Sequence, residues 1–121
     1  MPVTVGIDLV HVPRMERLLR SQRTRERVFT PAEQLLCAEQ AQRFAGRWAA
    51  KEAVMKALGQ GIGELAPTEI EVLAGPSGAP ALCLHGAAAT TAADQGWETW
   101  QVSISHDGEY ATAIAIGTAS G

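Results

Sequence analysis

Apolar and polar positions alternate from the first residues of the chain, where Val3, Val5, Ile7 and Leu9 fall between Thr4, Gly6 and Asp8. A period of two predicts a β-strand, with Asp8 on the opposite face from the apolar side chains. The period then lengthens. Pro13 suits the first position of a helix, and Met15, Leu18 and Leu19 form an apolar stripe beside Arg14, Arg17 and Arg20. Gln22–Arg27 holds no apolar residue and reads as a loop or frayed turn. In "TPAEQLL", Thr30 caps a helix, Pro31 fits its first turn and Glu33 completes a capping box. Helical spacing continues, with a break near Gln40–Gln42, to Leu58, where Gly59, Gly61 and Gly63 end it.

Beyond those glycines, Thr68–Leu73 reads as a short strand, "AGPSGAP" as a turn and Ala81–Leu84 as the hairpin partner. Ala87–Gln95 reads as a helix closed by Gly96. Trp100, Val102 and Ile104 alternate with Gln101, Ser103 and Ser105, Asp107-Gly108 signals a hairpin turn, and Tyr110–Ile116 returns as the last strand. Antiparallel hairpins mixed with helices predict an α+β fold. With 121 residues and no internal repeat, low-complexity segment or linker, residues 1–121 are expected to form one domain.

Composition adds a soluble, globular character: 46% of residues are hydrophobic and 19% charged. No apolar run is long enough to span a bilayer and no signal peptide is seen, so a cytoplasmic location is expected. Cys37 and Cys83 have no CxxC spacing and are expected to be buried thiols in a reducing compartment. The net charge of −3 hides an asymmetry, because all ten basic residues lie between Arg14 and Lys56 and only acids follow. Arg14–Arg27 alone holds six arginines. That run is either a solvated helix face or a docking surface for an acidic partner or phosphates.

The chemistry concentrates in "RWAAKEAVMKALGQGIG" (47–63). At helical spacing, Ala50, Ala53, Val54 and Ala57 make a narrow face of small side chains that lets a helix lie close to a sheet. Trp48, Glu52, Met55 and Lys56 fall opposite. Glu52 and Lys56 could form only a weak surface pair. Alternatively, Glu52 could meet Asp8, an acid placed unusually in an apolar strand. Two carboxylates with water and phosphate oxygens commonly hold Mg²⁺, and a nearby lysine suits a phosphate. Lys51 has no evident role. "GQGIG" follows a helix and lacks GK[ST], so it is no Walker A loop. "SISHDGEY" lacks GxSxG, which argues against a serine hydrolase, while His106 could donate to a phosphate or stack on a base. His11 and His85 stand alone, and no His/Cys group has zinc spacing.

Three stretches together, "GIDLVHVPRME" (6–16), "FAGRWAAKEAVMKALGQGIG" (44–63) and "VSISHDGEYATAIAI" (102–116), resemble the holo-[acyl-carrier-protein] synthases, the small 4′-phosphopantetheinyl transferases. The resemblance implies that family's fold, an antiparallel sheet packed with a long helix and assembled as a trimer. It implies Mg²⁺-dependent transfer of the phosphopantetheine arm of coenzyme A to a serine of apo acyl carrier protein, releasing adenosine 3′,5′-bisphosphate. By the same resemblance Asp8 and Glu52 bind the metal, and Glu52 and Lys56 act in catalysis. Coenzyme A is contacted by Arg47, Lys56, Gly59 and His106, in part across a subunit boundary. The carrier protein is met by Arg14, with Arg17, Arg20 and Met15 or Leu18 as further candidates. The serine proton goes either to Glu52 or to a metal-bound water. Trp48 stands where the family commonly has Phe, and Met55 where it has a small or hydroxyl residue, so both would reshape the pocket. Ser21–Arg27 is short against the family's first connection. These departures bear on carrier choice, fatty-acid or polyketide. Two competing readings are a binding module acting through the arginine run and a relative that has lost activity.

Overall fold

The computed structural model describes residues 1–120; Gly121 lies outside the described residues. Strands β1 (Val3–His11), β5 (Tyr110–Thr118) and β4 (Thr99–Asp107) form an antiparallel sheet in the order β1-β5-β4. Between β1 and the sheet's main helix run three short helices, α1 (Val12–Leu18), α2 (Gln22–Val28) and α3 (Pro31–Cys37). The long helix α4 (Ala41–Leu58) packs on β1 and β5. A second, two-stranded antiparallel sheet joins β2 (Ile70–Ala74) to β3 (Pro80–Leu84), and α5 (Gly86–Gln95) leads from it to β4. The fold is α+β, as the mixture of periods predicts.

Small residues set the spacing between α4 and the sheet. Ala111, Ala113 and Ala115 of β5 are buried, as are Ala49, Ala50, Ala53 and Ala57 of α4. A β-carbon on Gly6 would sit 1.8 Å from the Ala53 carbonyl oxygen, so only glycine fits there. The Thr4 hydroxyl donates to the Ala57 carbonyl at 2.7 Å and ties strand to helix at the same height. Gly6→Ala must push α4 off the sheet. It should cost about 3 kcal/mol, read as a lower urea midpoint at unchanged slope.

The alternation in β1 is as predicted, but its apolar side faces outward. Val3, Val5, Ile7 and Leu9 are 57%, 58%, 62% and 63% exposed. The inward positions are Thr4, Gly6, Asp8 and Val10, because bulky side chains there would hold the helix away from the strand.

The core forms two clusters. Phe29 and Phe44 meet edge to face at 4.9 Å beside Met15, Leu19 and Cys37, while Val54, Met55, Leu58, Leu65 and Ile70 fill the space under α5. Met55 is therefore a core residue, only 1% exposed, and does not flank the Glu52 side of the helix.

Further expectations are corrected. Gln22–Arg27 is helical within α2, whose start is capped by the Ser21 hydroxyl accepting from the Thr24 amide. Its docking depends on Arg25, which donates to the Leu19 carbonyl, forms a bidentate pair with Glu39 and lies over the Phe44 ring. That arginine is structural and is not available to a docking surface on the arginine run. The first strand after the glycines begins at Ile70, preceded by a 3-10 turn at Pro67–Glu69. The last hairpin turns on Gly108-Glu109, since Asp107 already pairs with Tyr110, and Gly108 takes a φ of 57°. Cys37 is buried but Cys83 is exposed.

Lys51 acquires a structural role. It is fully buried and its ammonium donates to Glu33 Oε1 at 2.7 Å, to the Pro67 carbonyl at 2.9 Å and to the Ile70 carbonyl at 2.7 Å, which uses all three protons. Glu33 also closes the predicted capping box on the Thr30 amide and accepts from the Val72 amide at 2.8 Å. This one buried pair joins α3, α4 and β2. Burial pulls the Lys51 ammonium below its ordinary value, and Glu33 opposes that pull.

Candidate active site

Asp8 and Glu52 converge where the inner face of β1 meets α4. Lys56, one turn after Glu52, turns toward the strand: its ammonium donates to Asp8 Oδ1 and to the Ile7 carbonyl, each at 3.0 Å. The weak Glu52–Lys56 surface pair does not form; among the described residues Lys56 pairs with Asp8 instead. Asp8 reaches the helix because its strand alternates, so the polar position of the sequence pattern is the one aimed at α4.

Glu52 is half-buried. Burial first, and the neighbouring Asp8 carboxylate second, push its pKa above the ordinary carboxylate range, while Lys56 pulls it back. Two neighbouring carboxylates with a single lysine, held on Asp8, form a site short of positive charge. Oxygen ligands of this kind fit a hard divalent cation such as Mg²⁺.

These side chains open into a cleft of about 430 Å³ whose lining includes Asp8, Glu52, Trp48, Arg14, Ile62 and Tyr110. A second groove of about 450 Å³ near Pro13, Glu16 and Glu109 has no basic lining residue, so the convergent charge singles out the first. Trp48, expected to flank the site, lines this cleft, and Arg14, expected to meet the carrier protein, lines it as well. Ile62 and Tyr110 were not anticipated. Ile62, which follows the end of α4 between two glycines, is exposed and still lines the cleft, and nothing in the sequence singled it out.

Other expected residues lie elsewhere in the single chain. Arg47 donates from Nε to the Val72 carbonyl at 3.0 Å, facing β2. His106 lines a separate groove with Ser105, Asp107 and Thr112, which shares only Leu9 and Tyr110 with the Glu52 cleft. Gly59 ends α4 in the left-handed region at φ 71°, with its amide on the Lys56 carbonyl and the Gln60 amide on the Met55 carbonyl. Those two bonds make a Schellman cap, which accounts for this glycine within the chain alone. On α1, Arg14, Arg17 and Leu18 are exposed, whereas Met15 is 2% exposed and belongs to the core, which removes it from the surface a carrier protein could touch.

Known proteins resemble this chain along nearly its whole length. The family model of the 4′-phosphopantetheinyl transferase superfamily matches residues 4–115. A holo-[acyl-carrier-protein] synthase of Gloeobacter violaceus is 47% identical over 115 residues, covering 90% of this chain and 87% of that one. The solved complex of the Chronobacterium ammoniagenes synthase with coenzyme A superposes with a TM-score of 0.87 at 35% identity, covering 99% of both chains. The Helicobacter pylori holo-[acyl-carrier-protein] synthase, also in complex with coenzyme A, gives a TM-score of 0.82 at 31% identity, covering 94% of this chain and 99% of that one.

Proposed function

This chain belongs to the 4′-phosphopantetheinyl transferase superfamily, as one of its holo-[acyl-carrier-protein] synthases, and from that premise we propose how its residues divide the work. The protein moves the 4′-phosphopantetheine arm of coenzyme A to a serine of apo acyl carrier protein and leaves adenosine 3′,5′-bisphosphate. Attack of a serine hydroxyl on a phosphoryl centre asks for positioning and neutralisation of charge more than for covalent help.

The observation that carries the assignment is the Asp8–Glu52 pair, in which Asp8 helps to raise the Glu52 pKa and Lys56 lies on Asp8. Asp8 and Glu52 hold Mg²⁺, which when bound supplies positive charge to the pyrophosphate oxygens. Lys56, held on Asp8, would exchange that contact for a phosphate oxygen when substrate enters. Trp48 and Ile62 give the cleft apolar walls that limit water. Arg14 stands at the rim, and with Arg17 and Leu18 on the exposed face of α1 it offers an acidic carrier protein a basic and apolar landing.

The chain works as a homotrimer in this reading. Support comes from the outward row Val3, Val5, Ile7 and Leu9, a continuous apolar strip that a single chain leaves in water. His106 and Arg47, which lie outside the Glu52 cleft of their own chain, would serve the coenzyme A held by a neighbour. An Ile7→Glu variant should sediment as a monomer and lose transfer, and a variant that still sediments as a trimer would refute this interface. No helix among the described residues is long and apolar enough to cross a membrane, and the proposal places the enzyme in the cytoplasm with its carrier.

The test of function is direct. The purified protein, incubated with Mg²⁺, coenzyme A and apo carriers of fatty-acid and polyketide type, should add one phosphopantetheine mass to at least one carrier. No mass gain on any of them would overturn the proposal.

A further inference from the structure

The β2–β3 hairpin brings together three donors that the sequence scatters. Glu71 stands directly opposite Cys83 in the antiparallel register, and His85 follows two residues on, so all three share the hairpin's outer face. The opposite face carries Ile70 and Val72, which are buried in the core. The Glu71 carboxylate oxygen, the Cys83 sulfur and a His85 ring nitrogen all lie within 4.8 Å of one another. Glu71 Oε1 is 3.1 Å from His85 Nε2.

We propose that Glu71, Cys83 and His85 form a second metal site, selective for a borderline-soft divalent cation of the zinc class. Thiolate, imidazole and carboxylate together are a zinc-type donor set, in contrast to the all-oxygen pair at Asp8–Glu52. Three protein ligands on an exposed face leave a fourth position to solvent. The site has an outer shell as well: the Thr30 hydroxyl donates to Glu71 Oε2 at 2.5 Å, and the His85 amide donates to the Glu69 carbonyl at 2.8 Å. The first contact fixes the carboxylate's orientation, as outer-shell partners of metal ligands do. On binding, the Cys83 thiol proton leaves to solvent as the sulfur–metal bond forms. Through Thr30, which caps α3, the metal would clip the hairpin to the helix that carries Glu33.

Co²⁺ is the probe. Titrated into the reduced full-length chain, it should give a thiolate-to-cobalt charge-transfer absorption that saturates at one ion per chain and is displaced by Zn²⁺. Cys83→Ser should abolish the band, and Glu71→Gln or His85→Ala should weaken Co²⁺ binding at least about tenfold. Glu52→Gln should leave the band intact, which separates this site from the Mg²⁺ site, and Cys83→Ser should keep wild-type transfer in Mg²⁺. In the unaltered protein, Zn²⁺ should also shield Cys83 from alkylation. The buried Cys37 thiol, pushed up to about 11, stays unreactive throughout. A missing band, a band that survives Cys83→Ser, unweakened binding in both Glu71→Gln and His85→Ala, or alkylation of Cys83 unaffected by Zn²⁺ would overturn the proposal.

Discussion

Glu52→Gln should lower the rate of phosphopantetheine transfer about a thousandfold, equivalent to about 4 kcal/mol of lost charge stabilisation. The same substitution should raise the melting temperature when no divalent cation is present. Both effects have one cause. Burial and Asp8 push the Glu52 pKa up, which means that the folded chain holds the ionised form less favourably than the unfolded chain does. For a carboxyl with a raised folded pKa, the folded state is relatively favoured at low pH. That advantage is lost as pH climbs from the unfolded value through the folded one, so at neutral pH the charge is a standing cost. Glutamine removes the cost and the metal ligand together. Saturating Mg²⁺ should reverse the order of melting temperatures, since only the wild type gains from binding. Calorimetry with and without Mg²⁺, beside a steady-state transfer assay, checks both halves. A Glu52→Gln protein that transfers at the wild-type rate would exclude Glu52 from the site.

The second large effect concerns stability. Lys51→Met should cost about 3–5 kcal/mol and lower the melting temperature by roughly 10–20 °C, because Glu33 would remain buried and charged with no cation. The Lys51 ammonium bonds to Glu33 and to the Pro67 and Ile70 carbonyls, none of which line the cleft, so the loss is one of fold. Adding Glu33→Gln should recover part of it, since the amide can still cap Thr30 without a stranded charge. Denaturant unfolding of the three variants measures this. A loss under about 1 kcal/mol in Lys51→Met would show that the pair carries no such role.

Those two neighbours, Lys51 and Glu52, mark how far the sequence could be read. Glu52 was legible because its spacing to Lys56 and the oddly placed Asp8 suggested oxygen chemistry, and the family motifs then pointed the same way. Lys51 was not, because its partner Glu33 sits in another helix and its other acceptors are backbone carbonyls of the 3-10 turn and β2. Periodicity found β1 but could not say which side faced inward. Apolar residues usually point to the core, and here the tight Gly6–Ala53 approach reserved the inside for small groups. Helix α2 has no apolar stripe to betray it. Its order comes from the Ser21 cap and from Arg25, whose three contacts are all tertiary or across loops. Met55 looked like a neighbour of Glu52 on a helical wheel, yet the second sheet and α5 wrap that side of α4 and bury it. The Glu71–Cys83–His85 group depends on strand register, which the turn signals located without fixing its outward face.

The measurement that bears most directly on the Asp8–Glu52 site is electron paramagnetic resonance of Mn²⁺ titrated into the full chain with coenzyme A present. Mn²⁺ shares the oxygen preference of Mg²⁺ and reports its own binding. One tightly bound Mn²⁺ per chain is predicted, displaced by Mg²⁺, lost in Asp8→Asn and in Glu52→Gln, and retained in Cys83→Ser. Mn²⁺ held as tightly by an Asp8→Asn, Glu52→Gln double variant as by the wild type would contradict the account.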